Sequence, residues 1–107
     1  MSKYLFQVNY LAGNGVSGLL KEGGSGRRTT ADQIFGSVGG KVEAFYYAFG
    51  ETDLFILAEL PDSASAAGVA LKVAAGGAVT MKTTVLLTAE EVDQATKKGV
   101  FYRPPGQ

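Results

Sequence analysis

Residues 46–62, YYAFGETDLFILAELPD, decide how the chain is read. One strand-like run stops at Gly50, and a second, almost wholly apolar, starts after Asp53. Two strands this close together form an antiparallel hairpin. A two-residue type II′ turn fits, with Gly50 supplying a positive φ, Glu51 the exposed second corner, and Phe49 and Thr52 flanking. Asp53 then opens the second strand, where its carboxylate can accept hydrogen bonds from nearby backbone N–H groups. The functional reading of the same residue is a general base at a pocket mouth. Glu43 and Glu59 are the other carboxylates that could serve. Glycine and aspartate have such ordinary turn roles that the structural reading carries more weight.

Outward from the hairpin, residues 41–49 and 53–60 are its two strands. Pro61-Asp62-Ser63 closes the second and opens a helix over about 63–75, built mostly of alanine and valine. AAGGA ends that helix, and residues 79–87, rich in β-branched side chains, read as another strand. Thr88-Ala89-Glu90-Glu91 is a capping box opening a short last helix. The tail VFYRPPGQ is extended, since Pro104 and Pro105 forbid helix.

Upstream, residues 3–11 alternate as a strand, with Tyr4, Phe6, Val8 and Tyr10 on one face. AGNG turns the chain. Val16, Leu19 and Leu20 then recur at helical spacing until KEGGSGRR interrupts them. Each glycine inside a helix costs about 1 kcal/mol relative to alanine, so a break is expected at Gly23-Gly24, with Ser25 as N-cap of the restart. The second piece carries Ala31, Ile34, Phe35 and Val38 on one stripe and stops at Gly39-Gly40. The order is β-α-β-β-α-β plus a terminal helix. That is an α+β ferredoxin-like plait, in one domain spanning 1–107.

A four-stranded plait covers one sheet face with its two helices, and the other face should then be polar. Here Phe55 and Leu57 oppose Leu54, Ile56, Ala58 and Leu60, and simple alternation sets Val42, Ala44, Tyr46 and Ala48 against Phe45, Tyr47 and Phe49. Apolar side chains on both faces mean that both need cover. A second copy laid face to face supplies it by symmetry. The alternative is that the terminal helix and tail fold over the second face within one chain.

Composition narrows the chemistry. Lysine plus arginine equals aspartate plus glutamate at ten each, so no global field draws nucleic acid or an anionic membrane. There is no cysteine and no histidine. This excludes thiolate chemistry and Ser-His-Asp or Cys-His catalysis, and argues against a transition-metal site. No cofactor is implied. The N-terminus, MSKYLFQVNYL, reads as a strand and not a signal peptide. No apolar run approaches the roughly 20 residues of a membrane span, and the cytoplasm is the expected compartment.

The quoted hairpin, together with KYLFQVNYLAGNGVSGLLKEGGSGRR and GAVTMKTTVLLTAEEVD, resembles the GYD-domain family of small bacterial proteins, from about residue 3 to residue 93. Gly50 and Asp53 match the Gly…Tyr-Asp signature for which that family is named. Thr52 stands where the tyrosine would be, so no role of that ring or hydroxyl transfers. The resemblance implies a dimeric α/β barrel and no established activity.

Binding candidates follow from the residues. Arg27 and Arg28 beside a glycine-rich helix entry could hold an anion, although solvated arginines at a helix break are the commoner outcome. Tyr4 and Tyr46, among the strand aromatics, could line an apolar pocket, although strand aromatics are more often core or interface. Lys82 alternates with threonines and is either an electrostatic partner or a guard against strand addition. Two function classes stay open: a homo-oligomeric module binding an apolar or anionic small molecule, and a cofactor-independent enzyme. The enzyme needs a closed cavity of about 300 Å³ or more with a carboxylate such as Asp53 facing into it.

Overall fold

The computed structural model describes residues 1–107. The elements are β1 (Ser2–Tyr10), α1 (Asn14–Gly36), β2 (Lys41–Tyr47), β3 (Leu54–Leu60), α2 (Ser63–Ala75), β4 (Val79–Leu86) and α3 (Ala89–Thr96). The four strands form one antiparallel sheet in the order β2-β3-β1-β4, the ferredoxin-like plait with a C-terminal helix.

The core lies between the sheet and the two long helices. Tyr4, Phe6 and Val8 of β1 and Leu54, Ile56, Ala58 and Leu60 of β3 point into it, with Ala31 and Phe35 from α1 and Ala66 and Val69 from α2. The alternation read from β1 and β3 therefore holds, and so does the second stripe of α1. The first stripe does not: Val16 and Leu20 are exposed, because the first half of α1 buries only Gly15.

α1 is broken at Gly23, whose φ of 77° and ψ of 167° lie outside the helical region. Only glycine takes such angles cheaply. The break is where the glycines put it, but Gly23 caps the restart and Ser25 is already helical, its carbonyl accepting from Thr29 Oγ1. The helix ends at Gly36, and the Gly40 N–H reaches back to the Phe35 carbonyl at 2.8 Å. α2 starts on Asp62, whose Oδ1 accepts from the Ser65 N–H at 2.8 Å. That bond holds the Asp62 carboxyl below its ordinary range. The capping box at Thr88 is present in both directions, with Thr88 Oγ1 accepting from Glu91 N–H and Glu91 from Thr88 N–H.

Two expectations are corrected on β2. Simple alternation groups Val42 with Ala44 and Tyr46, whereas the register runs Val42↔Ala58, then Ala44↔Leu57, Phe45↔Ile56 and Tyr47↔Leu54. Glu43 is the extra residue of a bulge. Val42, Phe45 and Tyr47 thus face the helices; Ala44 and Tyr46 face the other way. The strand also ends at Tyr47, two residues early. The connection is not a two-residue type II′ turn. The Ala48 N–H donates to the Asp53 carbonyl at 2.8 Å, closing a four-residue loop. Phe49, not Gly50, has the positive φ, at 55°, and its ring stacks on Tyr47 at 5.6 Å and 6°.

The helix-free face is apolar only in part: Leu5, Phe55, Leu57, Ala44 and Tyr46 share it with Lys3, Gln7, Asn9, Glu59, Thr80, Lys82 and Thr84, and nothing covers it. α3 and the tail do not fold over it: every residue from 87 to 107 is exposed. The radius of gyration is 16.9 Å, against about 13 Å for a compact chain of this length. The projecting C-terminal segment accounts for the excess. No helix is long and apolar enough to cross a membrane.

Candidate functional site

The hairpin loop is tied to β1 through Asp53. Its N–H donates to Asn9 Oδ1 at 2.8 Å and to the Val8 carbonyl at 3.1 Å. Its Oδ2 accepts from the Tyr10 N–H at 2.8 Å. The carboxylate therefore braces backbone beyond the last ladder pair of β1 and β3, the acceptor role its position suggested.

The other candidates do not converge. Tyr4 is buried in the core, its hydroxyl 3.2 Å from Ser63 Oγ. Tyr46 lies on the open face, 72% exposed. Lys82 is on that face too, beside a recess of about 280 Å³ lined by Gln7, Asn9, Glu51, Thr52, Thr80 and Lys82, all polar. Arg28 is occupied: its guanidinium carbon sits 5.3 Å from the Phe45 ring centroid, and Nε donates to Asp32 at 3.4 Å. No group of three or more acidic side chains comes together as a metal site.

Arg27 is placed differently. Between α1, α2 and the helix-facing side of the sheet runs a crevice with thirteen lining residues, twelve of them hydrophobic. Among them are Ile34, Phe45, Val73 and Met81; Arg27 is the one charged member. The kink at Gly23 turns the second half of α1 so that Arg27 comes to the mouth. Its Nη1 donates to Glu22 at 3.2 Å across the kink. Burial pulls the guanidinium's pKa down, but the neighbouring Glu22 carboxylate and Tyr10 hydroxyl outweigh that and the net shift is upward. The Tyr47 hydroxyl closes the same corner by donating to the Gly24 carbonyl at 3.1 Å.

Tyr10 and Tyr47 were not singled out from the sequence as partners of Arg27. Each reads as one more strand aromatic, and the three residues meet only through the kink and the bulge-shifted register of β2. The cavity itself is about 40 Å³. With one water needing roughly 10–15 Å³, it holds about three water-sized groups. The second half of α1 is fixed chiefly by Ala31, Ile34 and Phe35, and few buried contacts make a segment cheap to open locally.

Burial pushes the Tyr47 phenol up to about 12, with Tyr10 adding to the rise and Arg27 opposing it. The unfolded chain gives up this proton near the ordinary value of 10.0. Between the two the folded state holds the extra proton, so the contribution of Tyr47 to stability is present below pH 10 and is lost as pH rises toward 12. Ultraviolet titration should show one tyrosine ionising last, and Tyr47→Phe should remove that step. A Tyr47→Phe titration that retains it would refute the assignment.

The profile of the GYD domain family matches residues 4–96 of the chain. No curated protein matches it, and no solved structure does.

Proposed function

We propose, from the premise that this chain belongs to the GYD domain family, that it is a small homo-oligomeric binding module. Its ligand is a small molecule with an anionic group and a compact apolar body. One observation carries this reading: a single half-buried guanidinium at the mouth of an otherwise apolar crevice. An apolar lining with few convergent polar groups is the usual make-up of a ligand site. The anionic group would displace Glu22 from Arg27, while the apolar part enters between Ile34, Phe45 and Val73 as α1 gives way. The homo-oligomer is supported by the apolar part of the helix-free face, Leu5, Ala44, Tyr46, Phe55 and Leu57, which a second copy can cover.

The alternative, a cofactor-independent monooxygenase- or isomerase-like enzyme, has less support. No carboxylate lines the crevice, and one oxygen of Asp53 is taken by backbone.

Titration calorimetry with benzoate and hexanoate, against benzamide and hexanol as uncharged controls, tests the site. Both anions should bind the wild-type chain, and Arg27→Gln should weaken them by about tenfold or more, as loss of a charge-assisted hydrogen bond predicts. The controls should be unmoved by the substitution. Anions that fail to bind, or that bind Arg27→Gln equally well, would overturn the proposal.

A further inference from the structure

No hydrogen bond or ion pair ties residues 88–107 to the rest of the chain, yet their composition is not that of a solvated tail. Residues 100–102 are Val-Phe-Tyr, with Phe101 90% and Tyr102 72% exposed. Leu87 and Val92 are exposed ahead of them. The charges of 88–107 balance, with Glu90, Glu91 and Asp93 against Lys97, Lys98 and Arg103, so nothing repels this segment from an apolar surface. It opens on the Thr88 capping box just after β4, and the molecule measures 56 Å along its longest axis. A nine-residue strand such as β1 spans only about 30 Å.

The body has a surface that can receive it. Four strands about 4.8 Å apart and seven to nine residues long present a plan area of about 500 Å². A stable interface of standard size needs about 800 Å² from each partner. Accessible surface exceeds plan area on a face covered with side chains, so two facing sheets form a modest interface, to which each added aromatic side chain contributes roughly 150–250 Å². Twisted sheets packed face to face also splay at opposite corners. At the β2 edge, Tyr46 stands exposed on the open face, and Phe49, its ring stacked on Tyr47, is 61% exposed just past the strand's end.

We propose that residues 88–107 are an exchange arm. Each copy lays Val100, Phe101 and Tyr102 against Tyr46 at the β2 edge of a second copy, and the dimer is incomplete without the two arms. The inference rests on the homo-oligomer reading above and commits it to a specific contact.

Light scattering on the eluting chain tests it with three proteins: the full chain, a chain ending at Leu87, and the double variant Phe101→Ser/Tyr102→Ser. The full chain should run as a dimer and both variants as monomers. The body's circular dichroism should be unchanged, since every residue from 87 to 107 is exposed. If the shortened chain and the serine variant remain dimeric, the arm proposal falls and the sheet-to-sheet dimer stands. If the full chain is monomeric, both fall. The chain has no cysteine, so introduced thiols report without background. Oxidising a mixture of Tyr46→Cys and Tyr102→Cys proteins should join one of each. An internal cross-link in the doubly substituted monomer would show the arm folding home and overturn the exchange.

Discussion

Replacing Phe6 with alanine is expected to lower the unfolding free energy by about 3–5 kcal/mol, the usual cost of deleting a fully buried aromatic side chain. Phe6 has no exposed surface. It sits mid-strand on β1, flanked by Ile56 on one side and Thr83 on the other. Its ring meets Phe35 of α1 edge-on at 4.9 Å and 61°. The residue thus joins sheet and helix at once. The second half of α1 has few other buried contacts with which to close the gap, so collapse around the cavity is limited. Against a total of roughly 5–15 kcal/mol for a native domain, this is a third or more of the stability. Urea unfolding followed by circular dichroism would measure it. Leu5→Ala, one residue away on the half-exposed face, is the control and should cost far less. A loss below about 1 kcal/mol for Phe6→Ala would mean that the core is not where it has been placed.

Gly15→Ala and Gly18→Ala should move stability in opposite directions, although both lie in the first turns of α1. A Cβ on Gly15 would stand 2.0 Å from the Ala78 carbonyl oxygen and 3.3 Å from the Tyr10 carbonyl carbon. That oxygen already accepts the Leu11 N–H at 2.9 Å, where β1 leaves the sheet. Both obstacles are backbone, so neither can rotate aside. A loss of about 3 kcal/mol or more is expected from such overpacking. The melting temperature would fall by roughly 12 °C or more, at about 4 °C or more per kcal/mol for a chain of this size. Gly18 has nothing within 4 Å of its would-be Cβ. Alanine there should gain about 0.5–1 kcal/mol by restricting the unfolded chain. Thermal melts of the two variants side by side check the contrast; two losses of equal size would refute it.

The features legible in the sequence are those with a local chemical cause. α2 begins at Asp62-Ser63 and ends at Ala75 because a cap, a run of small helix-tolerant residues and a glycine pair sit next to one another. The capping box at Thr88 and the break at Gly23 are of the same kind. What escaped reading has causes distant along the chain. The bulge at Glu43 is settled by how β2 meets β3, and nothing in KVEAFYY marks it. Gly50 invited a tight turn, but Asp53 is held by Asn9 and Tyr10, more than forty residues earlier, and the loop widens to suit that tether. The candidate site shows the same limit. Arg27 stands out in the sequence by its glycine-rich neighbourhood, whereas Tyr10 and Tyr47 join it only once sheet and helix are assembled. Tyr4, a pocket candidate by sequence, lies in the core because β1 alternates inward there. The outward course of the last segment has no local signature either.

The bulge on β2 has an evolutionary corollary. Because Glu43 is surplus to the pairing, a sequence shortened by that one codon could keep Val42 opposite Ala58 and Ala44 opposite Leu57, with every later side chain on its present side. It would forfeit only the carboxylate that reaches Lys3, and Lys3 would still have Glu59 at 3.1 Å. Losing any single residue from 44 to 47 would instead invert part of the strand. Length variation among relatives should therefore be tolerated at 43 and absent from the rest of β2, and an ungapped comparison across that point would pair inward positions with outward ones.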